Sequence, residues 1–273
     1  MSLPSLEPKR DKGISLKPRI YVLGVRDKKK LGEPPVAYIV VERTEKINNY
    51  QEKGQVYEAS LRLDFEVFTT GRNWFRVSKS FEGGYSKFRN VVSLSSSSAG
   101  LGAIFLDLEG LYGQRIGTFL MSEIVAWVKQ WPDAEVNPIR LSSVQATSDN
   151  KDRRNRFYES FGLEFDYVDF KKKEGRSRPI KAVELKENLK WQQNIEVLEL
   201  VPFIENFMII SSNKELEIER LKSSIKRLGD ENISARDYPI RWALRWTWNN
   251  NFHNFVMLII ISLIGLVAWS RWY

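Results

Sequence analysis

The chain has 273 residues, of which 42% are hydrophobic and 28% are charged, so its composition is that of a folded protein rather than a disordered one. It contains no cysteine, which excludes disulfides, thiolate nucleophiles and Cys-based zinc sites. The single histidine, His253, argues against a His-ligated metal site and against a Ser-His-Asp triad, so no metal is expected.

The chain is basic, with a formal net charge of +8. A positive balance suits a nucleic acid partner, and it also suits an anionic membrane surface. Residues 1–18 are polar and basic and lack a long apolar core, so we predict a flexible arm there rather than a signal peptide. The first predicted strand follows at Ile20–Val25.

The chain up to about residue 108 is rich in β-branched and aromatic residues, which is typical of strands. In Val56–Thr69, polar residues alternate with apolar ones, as they do in a strand with one buried face. Glycine and proline predict several turns, among them one at Gly83-Gly84. The other strands predicted in this part are Val36–Glu42, Val91–Ser95 and Ala103–Leu108.

The hydrophobic period then changes to three and four residues, which predicts an amphipathic helix over residues 116–131 that ends at Pro132. The elements predicted after it are a strand at Ile139–Gln145, a short helix at about Asp152–Ser160, a hairpin of Leu163–Phe170 and Ile180–Leu185 around the charged turn Lys171–Arg178, and helix from about residue 186.

These elements predict an α/β (α+β) fold with a mixed, mostly antiparallel central sheet flanked by helices, followed by a helical segment and one apolar helix. The predicted organisation is an arm at residues 1–18, a domain at 19–185, a helical linker at 186–245 and a membrane anchor at 246–273.

Within the linker, Ile218, Leu221, Ile225 and Leu228 have the 3-4-3 spacing of a coiled-coil seam. Two heptads are too few to decide between two alternatives. Ile218–Leu228 forms a homodimer interface in one, and this stripe packs back onto the domain in the other.

The anchor prediction concerns Phe252–Tyr273. No acidic or basic residue lies between Arg245 and Arg271, and Trp248 to Trp269 would cover roughly 31 Å as a helix, close to the thickness of a bilayer. Tryptophans lie on both sides of the apolar run, as the two water–lipid interfaces favour. A buried core helix would explain the apolar run but not these tryptophans. Because basic residues precede the span and only one follows it, we expect the preceding domain in the cytoplasm.

A glycine-containing loop, Glu109-Gly-Leu-Tyr-Gly-Gln-Arg115, joins the strand predicted at Ala103–Leu108 to the helix beginning at Ile116-Gly117-Thr118. A junction of this kind presents unpaired backbone N–H groups and the positive end of a helix dipole, so it is a candidate anion site. Further on, Phe157-Tyr158-Glu-Ser-Phe-Gly162-Leu163 places a tyrosine on a short helix, four residues before a glycine.

Together, the two segments resemble the GNAT superfamily of acyl-CoA-dependent N-acetyltransferases over about residues 100–185. The second segment matches the family's Phe-Tyr-x-x-x-Gly-Phe motif except for Leu163. The family's loop motif, Arg/Gln-x-x-Gly-x-Gly/Ala, is met at Gly117, but Tyr112 stands at its first position and Arg115 at its middle glycine.

The resemblance implies acetyl-CoA as cosubstrate and assigns roles to residues of both segments. Tyr158 would be the general acid for the leaving thiolate, unless it is a core aromatic packed beside Phe157 and Phe161. Asp107 and Glu109 are the nearest candidates for a general base. The residues implied in cofactor binding are Leu106 and Leu108 along the pantetheine arm, Gly113, Gln114, Arg115, Ile116, Gly117 and Thr118 at the pyrophosphate, and Asn150 at the pantetheine or an ordered water.

Three functions follow as hypotheses. The first is a membrane-tethered N-acetyltransferase that acts on a cytoplasmic primary amine of a small molecule, a protein or an aminoacyl-tRNA. The second, motivated by Tyr112 and Arg115, is a catalytically degenerate binding or regulatory module at the membrane. Nucleic acid binding through the arm and Lys171–Arg178 is disfavoured unless the acceptor is a tRNA, because these charges are dispersed and lack interleaved aromatic residues.

Overall fold

The computed structural model describes residues 10–11, 14–15, 19–49, 56–69, 76–98, 108, 110–146 and 150–272. The chain divides into two compact units, Met1–Ile204 and Glu205–Tyr273. The strands of the described ranges are β1 (Arg10–Asp11), β2 (Ile14–Ser15), β3 (Ile20–Val25), β4 (Ala37–Asn49), β5 (Val56–Thr69), β6 (Arg76–Ser86), β7 (Val91–Ser93), β8 (Glu135–Val136), β9 (Arg140–Leu141), β10 (Phe165–Tyr167), β11 (Gly175–Ser177) and β12 (Ile195–Glu199). The α-helices are α1 (Ile116–Val128), α2 (Lys151–Glu159), α3 (Leu200–Asp237) and α4 (Pro239–Trp272).

The main sheet has the strand order β12-β3-β4-β5-β6-β7-β8. Its neighbouring strands are antiparallel except β7 and β8, whose parallel pairing follows from the crossover through α1. Strands β10, β11 and β9 form a smaller antiparallel sheet, and β1 pairs with β2. The predicted α/β (α+β) class with a mostly antiparallel sheet flanked by helices is confirmed.

Strand β5 shows how alternation in the sequence builds the core. Its residues Leu61, Leu63, Phe65 and Val67 are buried, whereas Arg62 on the other face pairs with Asp64 and, across to β6, with Glu82. Because side chains in a strand alternate between faces, this sequence buries one face and hydrates the other. The strands predicted at Ile20–Val25 and Val56–Thr69 are confirmed with their bounds.

Helix α1 packs closely against β6 because Gly83 has no side chain. A Cβ atom at Gly83 would lie 2.7 Å from Ile124 Cγ2 of α1 and 3.2 Å from the carbonyl oxygen of Ser93. Nearby, Trp131 stacks on Tyr85 with 4.2 Å between ring centroids. The turn predicted at Gly83-Gly84 was therefore wrong, since both residues lie inside β6 and the glycine provides room for the helix.

The small sheet differs from its prediction at two places. Only Arg140–Leu141 of the strand predicted at Ile139–Gln145 is extended, and Ser143–Gln145 is a 3-10 helix. The second hairpin strand is Gly175–Ser177, inside the segment predicted as a turn, because a Cβ at Gly175 would meet the Asp166 carbonyl at 2.9 Å and only glycine allows this approach. The segment predicted as that strand, Ile180–Leu185, contains a 3-10 helix at Ala182–Glu184.

The segment after residue 186 was predicted as helix throughout, which is also wrong. Strand β12 pairs with β3 along its whole length, from Ile195 opposite Val25 to Glu199 opposite Tyr21, and thereby completes the edge of the main sheet. A 3-10 helix at Leu189–Gln193 precedes it. Continuous α-helix begins only at Leu200.

Of the elements predicted around the candidate site, α1 begins at Ile116 as expected and ends at Val128, and α2 at Lys151–Glu159 matches the short helix predicted there. The strand predicted at Ala103–Leu108 lies outside the described residues, except for Leu108, which is buried.

Helix α4 is apolar and long. Its segment Pro239–Arg271 has 33 residues and a mean hydropathy of 2.1 over its most apolar window, and no part of that window is buried. By length and composition this helix is able to cross a membrane, and it includes the predicted anchor from Phe252 to Trp272.

Candidate functional site

The loop before α1 has a left-handed backbone at three positions. Gly110, Gly113 and Arg115 have φ values of 75°, 73° and 63°. Glycine adopts this conformation without strain, whereas a residue with a Cβ atom is disfavoured in it by about 1 kcal/mol. Arg115 therefore adopts, at a cost in conformational free energy, a backbone conformation that glycine adopts more easily. This is the position at which the loop motif of the resembled family has glycine.

The first turn of α1 begins at this loop. Arg115 is its N-cap residue, and in the part of the chain that the structure describes no side chain caps the turn by a hydrogen bond. No acidic residue lies in that turn either. The backbone N–H groups of Ile116, Gly117 and Thr118 therefore stand at the positive end of the helix dipole, where an anion is stabilised.

Asn194 fixes the other side of the loop, although no motif in the sequence pointed to this residue. This residue is 2% exposed, and its side-chain amide donates to the carbonyl oxygens of Gln114 at 3.0 Å and Arg26 at 3.1 Å. Its Oδ1 accepts a hydrogen bond from Arg115 Nη1 at 3.2 Å. Asn194 thus ties the loop to the end of β3 and holds the Arg115 guanidinium.

The segment after β3 supports the loop as well. Lys28 donates from its backbone N to Gln114 Oε1 at 3.0 Å and from its Nζ to the Gly113 carbonyl at 3.1 Å. Asp27 accepts from the backbone N of Lys29 and from Gln114 Nε2, and these hydrogen bonds lower its pKa from the ordinary value. These contacts place a lysine ammonium beside the loop.

Helix α2 meets the loop through Arg153. The guanidinium carbon of Arg153 lies 5.4 Å from the ring centroid of Tyr112, which is a cation–π distance, and Arg153 Nη2 donates to Asn150 Oδ1 at 2.9 Å. The structure therefore brings Tyr112 of the loop next to Arg153 in α2 and Asn150 at its N-cap. Three cationic side chains, Lys28, Arg115 and Arg153, belong to this region.

Tyr158 lies on α2 and is 7% exposed. Its ring packs against Phe157 at 5.1 Å and Phe165 at 5.8 Å between centroids. Burial raises the pKa of Tyr158 to about 12, and the positive charge of Arg154 partly opposes this shift. The phenol is therefore protonated at neutral pH, which a general acid requires, and its aromatic packing is also what a core residue would show.

Arg154 is a second residue that the sequence did not single out. It is buried, and it donates to the carbonyl oxygens of Ser142 at 2.7 Å and Lys173 at 2.8 Å. Asn155, which accepts from Arg154, donates in turn to the Lys172 carbonyl at 2.9 Å. Burial lowers the pKa of Arg154. These bonds fix α2 against the loops on both sides of it.

The remaining predicted site residues divide into two groups. Leu106, Asp107 and Glu109 lie outside the described residues. Leu108 is buried, and Gln114, Gly117, Thr118 and Asn150 are half-buried.

A cavity of about 410 Å³ lies beside α1, and none of the predicted site residues lines it. Among its walls are Tyr21, Phe119, Glu123 and Trp191. The Tyr21 hydroxyl and the Trp191 Nε1 are buried and have no hydrogen-bond partner among the described residues. Burial first, and then the Glu123 carboxylate, raise the pKa of Tyr21. The sequence contained no motif that would have located this cavity.

Comparison with protein family models, with curated proteins and with solved structures found no match to this chain. Its function is therefore inferred from the loop, from α1 and α2, and from α4.

Proposed function

We propose that the protein is a membrane-tethered N-acetyltransferase, which transfers the acetyl group of acetyl-CoA to a cytoplasmic primary amine. The observation that carries this proposal is the loop at Gly110–Arg115, which has a left-handed backbone at three positions, contacts the Arg153 guanidinium through Tyr112 and leads into the uncapped first turn of α1. Backbone N–H groups and cations in this arrangement suit a diphosphate group.

The residues of the site fit the pyrophosphate of acetyl-CoA by charge. The N-terminal end of the α1 dipole and the side chains of Lys28, Arg115 and Arg153 are positive, and the described first turn of α1 holds no acidic residue. The Asp27 carboxylate at the loop is bonded to Gln114 and to the backbone of Lys29. The hydrogen bond from Arg115 to Asn194 holds that guanidinium at one side of the loop. Under the proposal, Gly113 to Thr118 bind the pyrophosphate through backbone N–H groups.

Acetyl-CoA supplies an activated acetyl group, and the protein has to position the amine and move two protons. The neutral amine nitrogen attacks the thioester carbonyl carbon as a nucleophile, so that the new C–N bond forms and the C–S bond breaks. A carboxylate is needed to accept the proton that the nitrogen loses, and Asp107 and Glu109 are the candidates. The leaving thiolate needs a proton, which Tyr158 would donate. Because burial raises the pKa of Tyr158 to about 12, its phenol is in the donor form at neutral pH.

Attachment to a membrane is the second part of the proposal and rests on α4. The 33-residue segment is long and apolar enough to span, and Trp242, Trp246, Trp248 and Trp269 suit the lipid interfaces. Among the basic residues on the side of α3 are Lys222, Lys226, Arg227, Arg236, Arg241 and Arg245, and Arg271 lies on the other side of the apolar run. This asymmetry favours a cytoplasmic location for the first unit.

The test is acetyl transfer by the full chain in lipid nanodiscs. Acetyl-CoA labelled in its acetyl group is incubated with the protein and a cytosolic extract, and the products are treated with neutral hydroxylamine, which cleaves thioesters but not amides. The proposal predicts labelled, hydroxylamine-resistant product that depends on the protein. Turnover lost in the Tyr158→Phe variant would support the general acid role, whereas unchanged turnover would remove Tyr158 from it.

A degenerate module at the membrane is the alternative that Arg115 and the buried Tyr158 favour. This alternative predicts either no acetyl-CoA binding, or binding without transfer to any amine of the extract. The labelling experiment together with binding calorimetry separates the two functions.

A further inference from the structure

Helix α3 carries an apolar stripe that is open to solvent. The helix runs without interruption from Leu200 to Asp237, and no residue in it is buried. Ile218, Leu221, Ile225 and Leu228 are between 50% and 69% exposed. Because residues spaced three and four apart lie on one side of a helix, these four side chains form a single seam.

The seam continues in register beyond its apolar part. Asn232 follows Leu228 by four residues, and Ala235 follows Asn232 by three. The six consecutive core positions of the heptad repeat are therefore 218, 221, 225, 228, 232 and 235. Isoleucine stands at the first core position of two heptads and leucine at the second. This combination favours two parallel strands, and a single asparagine at a first core position fixes the register of such a dimer.

We infer that two copies of this chain associate through residues 215–236 of α3 as a parallel, in-register, two-stranded coiled coil. The inference commits to a second copy as the partner because the charges beside the seam complement each other. Glu217 and Glu231 precede the core positions 218 and 232, whereas Lys222 and Arg236 lie on the opposite flank of the seam.

In the parallel arrangement, Glu217 of one chain faces Lys222 of the other, and Glu231 faces Arg236. The antiparallel arrangement instead places each flank against the same flank of the second copy. Glu217 would then face Glu231, and Lys222 would face Arg236. Like charges oppose this pairing, so the parallel orientation is selected.

The parallel orientation also agrees with the position of α4, which begins at Pro239 and is separated from the end of α3 by a single residue, Tyr238. In a parallel pair, both copies of α4 leave the coiled coil at the same end. This last point rests on the proposed membrane attachment. The dimer itself does not depend on acetyl transfer, so its test is independent of that activity.

Orientation and register are tested by cysteine cross-linking of the full chain in detergent micelles, because the natural sequence contains no cysteine. Ala235→Cys places one thiol on the seam, where the two copies of a parallel dimer meet, and keeps Asn232 in place. Ser223→Cys, at an exposed position on the outer side of α3, is the matched control. Mild oxidation should convert Ala235→Cys to a covalent dimer at least about ten times faster than the control.

Equal oxidation rates of the two variants would overturn the parallel register. A chain that stays monomeric by light scattering over the accessible concentration range would overturn the dimer, as expected if the stripe packs onto the domain of its own chain.

Selection by charge is tested with two double variants of the full chain. Lys222→Glu with Arg236→Glu makes both flanks acidic, and Glu217→Lys with Glu231→Lys makes both flanks basic. Each variant alone should dimerise at least about tenfold more weakly than the natural chain, and their mixture should form a heterodimer. Unweakened homodimers of both variants would contradict the assignment of these four residues.

Discussion

At the scale of single residues, Tyr158 is a tyrosine whose ring is buried among aromatic side chains and whose hydroxyl stays protonated. Burial raises its pKa to about 12, against an ordinary value of 10.0. Below pH 10 the phenol is protonated in both the folded and unfolded chain, so it contributes no pH dependence to stability. Between about pH 10 and pH 12 the unfolded chain loses this proton while the folded chain keeps it, and the folded state is destabilised.

The first prediction follows from that pKa. The unfolding free energy of the full chain should fall over about pH 10–12, and Tyr158→Phe should remove about 2–3 kcal/mol of this fall, since one pKa unit corresponds to about 1.4 kcal/mol. Urea unfolding of both proteins at pH 8 and pH 11.5 measures the difference. An equal fall in the unfolding free energy of both proteins would show that the Tyr158 phenol titrates normally.

Tyr158→Phe should also lower turnover by about 100-fold, with little change in acetyl-CoA affinity, if Tyr158 is the general acid.

Asn194 is the second residue on which the site depends. Asn194→Ala leaves the carbonyl oxygens of Gln114 and Arg26 without their amide donor, and it frees the Arg115 guanidinium. We expect a loss of about 2–4 kcal/mol in unfolding free energy, because buried polar groups are left unpaired. Gln193→Ala, an exposed neighbour in the chain, is the control and should cost under about 0.5 kcal/mol. Equal effects of the two substitutions in urea unfolding would mean that Asn194 does not hold the loop.

At the scale of elements, the approach of α1 to the sheet depends on one missing side chain. Gly83→Ala places a methyl group 2.7 Å from Ile124 Cγ2, which forces α1 away from β6. The cost should be about 1–3 kcal/mol in unfolding free energy. Gly24→Ala, in β3, is the matched control, because its methyl group would meet neighbours at ordinary distances of 3.6 Å or more. A Gly83→Ala protein as stable as the Gly24→Ala protein would contradict this packing.

The contact between α2 and the loop gives the fourth prediction. Arg153→Ala removes the guanidinium beside Tyr112 and one of the cations proposed for the pyrophosphate. Acetyl-CoA affinity should fall about tenfold, which corresponds to about 1.4 kcal/mol. Arg156→Ala removes the same charge from an exposed position on the same helix, so its effect should be small. Calorimetric titration of both variants with acetyl-CoA measures the difference. Equal losses of affinity would show that Arg153 acts through the net charge of the protein and not through a contact with the cofactor.

Strands were predicted correctly where the alternating pattern was long. They were predicted wrongly where contacts between residues far apart in the chain determine the structure. The alternation in Val56–Thr69 repeats over a whole strand, so it fixes a buried face by itself. Gly83 was placed in a turn because glycine usually marks one, and only the position of Ile124 shows that it makes room for a helix. Strand β12 was missed because it is five residues long and owes its pairing to β3, about 170 residues earlier in the chain.

The same distinction applies to the candidate site. Helix α1, which follows the loop, and the short helix of Tyr158 were located from local spacing; α1 begins at the predicted residue and α2 within one residue of it. Asn194 had no local signal, since its partners Arg26, Gln114 and Arg115 come from distant parts of the chain. The positive φ of Arg115 was also beyond sequence reasoning, because nothing in an arginine side chain favours it.

At the scale of the whole molecule, two units with different chemistry are joined in one chain. The first unit has the antiparallel sheet and the loop with its cations, and the second is built from α3 and α4. An apolar α4 next to a basic flank suits attachment to a membrane. In the proposed function, this attachment brings acetyl transfer to the inner surface of that membrane.

The most direct test of the central claim is the binding of acetyl-CoA to the full chain in lipid nanodiscs, measured by isothermal titration calorimetry. We predict saturable binding with one site per chain and a Kd between about 1 μM and 1 mM, the usual range for a cosubstrate, and competition by free CoA. Absence of saturable heat up to about 1 mM acetyl-CoA, in protein that unfolds cooperatively, would contradict the acetyltransferase proposal.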